Sequence, residues 1–328
     1  MSAVALRSRT AYAGRRSRSR GSDKIGLRRM LCAAIDIGSN TTRVLVAEPE
    51  DGQLRKVLEQ RAYTRINKGL RKKDGAITAE KIAEVCDVVA TQVRLAQETG
   101  AEAIRIVATA AIREAPNRKK VAAAIERASG FPVQVLTEEE EGHLAFFGAT
   151  KALGHPVDGE IAVVDVGGGS TEVILGTIDG GVREVHSFKV GSGALAEEFL
   201  KGDPPGPVEI RSLRDEIADR FAGVELGHPE QAVAVGGSAT SMRRLVGSVL
   251  EYETLERGIR VLTSDTAADV AQRFELDARR VEVLPSGVLL LEQISQLLGQ
   301  PLQIGRGGLR EGVILELLSN PEDESAAA

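Results

Sequence analysis

Residues 161–175 read IAVVDVGGGSTEVIL. An apolar run carries Asp165 near its end. Gly167, Gly168, Gly169, Ser170 and Thr171 follow, and a second apolar run begins after Glu172. This is the pattern of a strand, a tight glycine turn and a returning strand. Three consecutive glycines leave backbone N–H groups free to close around an anion, with no Cβ in the way. Asp165 at the strand end can reach a metal that bridges phosphate oxygens.

The same pattern occurs earlier in the chain. Residues 33–46 read AAIDIGSNTTRVLV, and an offset of 129 residues without gaps superimposes the two stretches. Asp36 falls on Asp165, Gly38 on Gly167, Thr41 on Ser170, Thr42 on Thr171 and Gly52 on Gly181. A single Asp-x-Gly is common turn chemistry. Two copies in register predict a duplicated domain, with two phosphate-binding hairpins facing each other across a cleft.

Length fits this reading. A chain of 328 residues has room for about two domains, and 42% apolar residues can fill a core in each. The two cysteines, Cys32 and Cys86, lie in apolar surroundings and read as buried free thiols of a reducing cytoplasm. No apolar run approaches the roughly 20 residues of a membrane span. Residues 1–29 hold nine Lys or Arg against Asp23 alone. That tail carries +8, so a total of −5 leaves −13 on the remainder. The tail has no apolar core of a secretory signal and reads as disordered. A transit peptide, a nucleic-acid arm and an over-called start before Met30 remain open.

Strands are expected near 31–37, 42–47 and 54–62. A helix from Thr78 to about Glu98 follows, with Ile82, Val85, Val89, Val93 and Ala96 on one face. Strand 103–108, helix 118–128, strand 133–136 and a helix from Thr137 to about Leu153 complete the first half. The second half continues with strand 184–190, a helix through Leu200, helix 208–221 and strand 232–235. Gly236, Gly237 and Ser238 then open a helix through Leu250, a third anion site at a helix N-terminus. Helices at 266–274, 277–283 and 286–298, strand 302–304 and helix 309–318 end the chain.

Together these stretches resemble the exopolyphosphatase/guanosine pentaphosphate phosphatase (Ppx-GppA) family, within the actin–sugar kinase–Hsp70 fold group. The likeness rests on 33–46, ATAAIREAPN at 108–117, EEEEGHLAFFGA at 138–149, VVDVGGGSTEVILG at 163–176 and LREGVILELL at 309–318, with AVGGSAT at 234–240 and LPSGVLLL at 284–291. It covers roughly residues 31–320. It implies an α/β fold of two ribonuclease H-like lobes with a cleft between them. The lobes are expected at 30–150 with 309–322 (lobe I) and 151–308 (lobe II), and 323–328 as a frayed end. It also implies hydrolysis of a terminal phosphate from a phosphoanhydride chain with Mg²⁺, Mn²⁺ being an alternative. The extra C-terminal helical domain of larger members is not in this sequence.

The resemblance assigns roles residue by residue. Asp36 and Asp165 become the metal ligands, and Gly38, Ser39, Asn40, Thr41 and 167–171 the phosphate cradle. The family pattern Glu-Glu-x-x-Leu then Phe-x-Gly puts the catalytic base on Glu141. The residues alone explain Glu138 to Glu141 as first-turn carboxylates, with Thr137 and Glu140 as a capping box. Gly142-His143 stands where members often have Ala-Arg, which removes a positive charge. Glu172 matches an active-site carboxylate of the family. Arg113 is placed to hold a phosphate in a fork.

The leading functional expectation is an exopolyphosphatase acting on inorganic polyphosphate. The alternative substrate is the 5′ γ-phosphate of guanosine pentaphosphate. A kinase of the same fold group and a non-catalytic polyphosphate binder are the outer readings. Because the body of the chain is acidic, a polyanion needs a local basic track, for which Arg61, Arg65, Lys68, Arg71, Lys72 and Lys73 are the candidates; a plain solvated loop competes. No base-reading motif for nucleic acid, no metal spacing among the four histidines and no membrane partner is expected. A homodimer is open by family analogy.

Overall fold

A computed structural model describes residues 30–70 and 73–319. The basic tail 1–29, the chain end from 320 onward, and Arg71 and Lys72 of the candidate track lie outside the described residues.

The first sheet contains β1 (Cys32–Ile37), β2 (Thr42–Glu50), β3 (Gln53–Ala62), β4 (Ala103–Ala108) and β5 (Val133–Val135), in the order β3-β2-β1-β4-β5. β1, β2 and β3 form an antiparallel meander, and β4 and β5 run parallel to β1. The parallel pairings need crossovers, which α1 (Ala79–Thr99) and α3 (Arg118–Ser129) supply. α1 buries the expected stripe from Ile82 to Ala96 on this sheet. Thr78 caps it by accepting the Lys81 N–H, and Gly100 ends it at φ 93°.

The second sheet repeats the plan. β6 (Ile161–Val166), β7 (Thr171–Thr177) and β8 (Gly181–Phe188) form the meander, and β9 (Gln231–Val235), β11 (Leu302–Ile304) and β10 (Val249–Leu250) extend it in the order β10-β11-β9-β6-β7-β8. The duplication holds at single-residue register. Asp36 pairs with Arg43 as Asp165 pairs with Glu172. The Gly38 N–H donates to the Thr41 carbonyl at 3.0 Å, and the Gly167 N–H to the Ser170 carbonyl at 2.9 Å. The hairpin turns that follow both place glycine at positive φ, 80° at Gly52 and 73° at Gly181, which Cβ-bearing residues resist.

Two helices are exchanged between the lobes. α12 (Leu309–Ser319) returns to the first sheet, where Leu309, Val313, Ile314 and Leu317 pack with Cys32, Ala34, Leu45 and Val107. α4 (Glu138–Lys151) follows the first sheet in sequence, inside the expected lobe I. Its Ala145, Phe146 and Ala149 nevertheless pack on Ile161, Val163, Ile174, Val233 and Val235 of the second sheet. Each sheet is thus covered on one face by a helix that crosses the cleft floor.

The other face of the second sheet carries α5 (Ser192–Phe199), α6 (Pro207–Arg220), α7 (Gly236–Val246), α8 (Tyr252–Ser264), α9 (Ala267–Phe274), α10 (Ala278–Val281) and α11 (Leu284–Leu298) around the largest core. Two expectations fail here. α7 stops at Val246, with Gly247 at φ 102°, and Val249–Leu250 is an edge strand, not helix. α8 was not foreseen, although Leu255, Ile259 and Leu262 are its buried stripe at helical spacing. Cys32 is fully buried as expected, but Cys86 is only half-buried. Among the described residues no helix is long and apolar enough to cross a membrane.

Candidate active site

The two glycine turns meet tip to tip. A Cβ on Gly168 would lie 2.7 Å from the Asn40 Cβ, and one on Gly169 2.6 Å from the Ser39 hydroxyl. Only glycine lets the lobes approach this closely. The start of α5 braces the second turn: the Ser192 N–H donates to the Gly167 carbonyl at 2.9 Å and the Gly193 N–H to Gly168 at 3.0 Å. Beneath the tips lies a cavity of about 90 Å³, lined by residues 38–41, 166–170, Asp36, Arg43, Glu141, Asp165, Glu172, Gly236, Gly237 and Arg280.

Four carboxylates converge on this cavity, and burial drives all four pKa values upward. Glu141 rises from 4.5 to about 7 through burial and through Asp36 and Asp165, against the pull of Arg113. Asp165 rises to about 6, through burial and then Asp36, while Arg43 and Arg310 oppose. Asp36 is raised by burial, with Arg43 and Arg310 opposing. Glu172, 4% exposed, is raised well above 4.5 by burial, Glu141 and Asp165. Strongly perturbed carboxylates in one cleft mark a functional site.

Glu141 is held by a second residue. Arg113, at the end of α2 (Ala110–Arg113), donates from Nη1 to Glu141 Oε2 at 2.6 Å and to the Leu136 carbonyl at 3.1 Å. One arm of the expected phosphate fork is thus engaged with the carboxylate and positions Glu141, while the buried Nη2 has no hydrogen-bond partner. Glu140 is the cap: its side chain accepts the Thr137 N–H at 2.8 Å while Thr137 accepts the Glu140 N–H at 3.1 Å. His143 is exposed and bonded to the Glu139 carbonyl, so the replaced Arg position does not face the cavity.

A family model described as the Ppx/GppA phosphatase family matches residues 45–321. The chain belongs to the Ppx/GppA phosphatase family. It is 29% identical to Exopolyphosphatase 1 of Mycobacterium tuberculosis over 314 residues, 90% of this chain and 91% of that protein. It is 28% identical to a guanosine-5′-triphosphate,3′-diphosphate pyrophosphatase of Vibrio cholerae, spanning 61% of that longer protein. A crystal structure of the Aquifex aeolicus member of the family superimposes with a TM-score of 0.73 at 28% identity, covering 90% of this chain and 99% of that one.

Within this Ppx/GppA site, three arginines went unnoticed in the sequence. Arg43 is the in-register counterpart of Glu172. Arg280 comes from α10 and Arg310 from α12. A Cβ on Gly237 would stand 2.6 Å from Arg280 Nη2 and 2.7 Å from Arg43 Nη2, so the two guanidiniums meet over the start of α7. Burial, then Arg310, Arg280 and Arg61, push Arg43 down to about 9. Arg280 is 5% exposed and its buried Nε has no hydrogen-bond partner; Nη1 of Arg310 is likewise unpartnered. Arg310 is otherwise paired with Glu59 at 2.8 Å, and the remaining buried N–H groups suit an anion.

Some expected residues point elsewhere. Thr171 donates to the Val190 carbonyl, and Ser238 is fully buried with its hydroxyl towards the Val166 carbonyl. Only Gly236 and Gly237 of the third turn line the cavity. The loop cations do not form one row: Arg61 lines a chamber on one side of the cleft, Arg65 and Lys68 a chamber on the other. Lys73 is exposed.

The donor set suits a hard divalent cation. Asp36 Oδ1 is buried without a hydrogen-bond partner, and the paired turn aspartates would supply oxygen ligands. Among the described residues no cluster of three or more side chains forms a metal cage. One or two carboxylates, completed by water and substrate phosphate oxygens, is the arrangement Mg²⁺ takes.

Proposed function

We propose that this protein is a Mg²⁺-dependent exopolyphosphatase that releases orthophosphate from the end of inorganic polyphosphate. The observation that carries this reading is a small cavity lined by two in-register Asp-x-Gly turns, a positioned glutamate of raised pKa and the guanidiniums of Arg43 and Arg280. The turns' backbone N–H groups cradle the terminal phosphoryl group. Asp36 and Asp165 would hold Mg²⁺, which supplies charge neutralisation on the phosphoryl oxygens when bound. Glu141, fixed by Arg113, orients a water and accepts its proton as the oxygen attacks phosphorus. The bridging P–O bond breaks, and the shortened chain departs with the electron pair, its charge met by Arg43 and Arg280. Burial and the charges of Asp36 and Asp165 raise Glu141 to about 7, where it can accept a proton near neutral pH.

Guanosine pentaphosphate presents the same terminal phosphoanhydride and is the second reading. Polyphosphate is favoured because Exopolyphosphatase 1 of Mycobacterium tuberculosis, matched over 90% of this chain and 91% of its own length, carries that name. Phosphate release from long polyphosphate, short polyphosphate and guanosine pentaphosphate, measured side by side with Mg²⁺, decides between them. Release from none of the three defeats the enzymatic reading. Asp36→Asn and Asp165→Asn are each expected to raise the Mg²⁺ concentration for half-maximal rate. An active variant with unchanged Mg²⁺ dependence assigns the metal to other residues.

A further inference from the structure

The catalytic cavity is the narrow middle of a longer passage. On one side it shares Asp36, Arg43, Asp165, Gly236, Arg280 and Leu309 with a chamber of about 480 Å³ between β3, α7 and α12. On the other it shares Ser39, Asn40 and Gly168 with a chamber of about 540 Å³ beside α5 and α11. The two chambers differ in charge. The first carries Lys56, Arg61, Arg244 and Arg306 on its walls, with Arg280 and Arg310 at its floor; Lys56 is paired with Glu59 and Glu311, Arg244 with Glu275 and Arg310 with Glu59, and Asp277 also lines it. Among the described residues Arg61 and Arg306 have no carboxylate ion pair and both are exposed, so their charge is available to a ligand. The second chamber sets Arg65, Lys68 and Lys201 against Glu197, Glu198, Asp203 and Glu282, and Arg65 is ion-paired with Glu282 at 3.5 Å.

The carboxylates fix a direction. Glu141 and Glu172 line the catalytic cavity but not the basic chamber. Displacement at phosphorus is in line, so the attacking water and the leaving oxygen sit on opposite sides of the transferred group. A water activated by Glu141 therefore pushes the leaving oxygen towards Arg43 and Arg280, that is, towards the basic chamber.

We propose that the chamber walled by Lys56, Arg61, Arg244 and Arg306 binds the phosphates behind the scissile bond, and that the released orthophosphate leaves through the opposite, more acidic chamber. This rests on the phosphoanhydride reading of the site. It moves the polyanion track from the 65–73 loop to the opposite mouth of the cleft, and of the loop cations expected from sequence it retains Arg61 alone.

The test compares Arg61→Ala/Arg306→Ala with Lys68→Ala/Lys201→Ala in the full chain, reading both equilibrium binding of long-chain polyphosphate and steady-state kinetics. The first pair is expected to weaken binding and raise KM about five- to tenfold, with a smaller change in kcat, because wall charges bind ground and transition states alike. Its binding should also lose salt dependence, by roughly one unit of log–log slope per phosphate contact removed. Tripolyphosphate, too short to reach the outer wall, should respond less. Unchanged binding in the first pair, or a larger loss in the second, overturns the proposal. A wild-type protein that binds polyphosphate through Arg61 and Arg306 but releases no phosphate would sink the enzymatic reading and leave the chamber standing.

Discussion

Glu172 shows what the site costs the fold. It is buried, faces Glu141 and Asp165, and receives a hydrogen bond from Ser187 at 3.3 Å, with no ion pair among the described residues. Its folded pKa lies above the unfolded 4.5. Stability from the protonated form is present below the unfolded value and is lost as pH rises through the folded one. Gln at this position does not titrate. Glu172→Gln is therefore expected to melt higher than wild type at pH 8, with little difference at pH 4, while losing most activity. Equal melting temperatures at pH 8 would show that Glu172 is not held against its ionisation. The rate should report the same electrostatics. With Glu141 near 7 and coupled to Glu172, kcat/KM is expected to climb between about pH 6 and 8, with an apparent pKa that belongs to the pair. Extra Mg²⁺ should shift that limb downward. A flat profile from pH 5 to 9 would remove the carboxylates from the proton transfer.

At the scale of elements, α4 and α12 decide how the catalytic glutamate is held. The two helices touch backbone to backbone: a Cβ on Gly148 would strike the Gly308 and Gly312 main chain, and one on Gly312 the Leu144 carbonyl. Gly148→Ala must push the helices apart at an overpacking cost of about 1–3 kcal/mol. The expected result is a lowered melting temperature together with a loss of kcat, since Glu141 rides on α4. A variant that melts and turns over like wild type would show the crossing to be slack.

These elements also show where the sequence was readable. The two hairpins were legible because the repeat constrains residue type and spacing together. α1 was legible from its single apolar stripe. The return of 309–322 to lobe I was expected, but the crossing of α4 was not: α4 buries Gly142, Leu144, Ala145, Phe146, Gly148 and Ala149 against two partners, so no one-sided stripe reveals which sheet it joins. α8 hid for another reason, Gly258 sitting among its apolar positions. Glu141 became a candidate through family resemblance, since the capping box explains its neighbourhood equally well. The arginine cluster was missed because Arg43, Arg280 and Arg310 come from three distant elements, β2, α10 and α12, with no shared motif.

For the whole molecule, an acidic body that handles a polyanion must concentrate its positive charge where the substrate lies. Two duplicated lobes, held tip to tip by Asn40 against Gly168 and Ser39 against Gly169, create a small cavity in which Arg43 and Arg280 face one chamber and Glu141 and Glu172 lie away from it. The account's central claim is that Glu141 performs the proton transfer inside this cavity. The direct measurement is phosphate release from polyphosphate at saturating Mg²⁺ by wild type and Glu141→Gln, with Glu140→Gln as the capping control. Glu141→Gln should bind polyphosphate and melt like wild type or higher, yet turn over about 10²–10⁴ times more slowly. Glu140→Gln should lose stability, not chemistry. A Glu141→Gln protein that keeps more than about half of the wild-type rate would contradict the account.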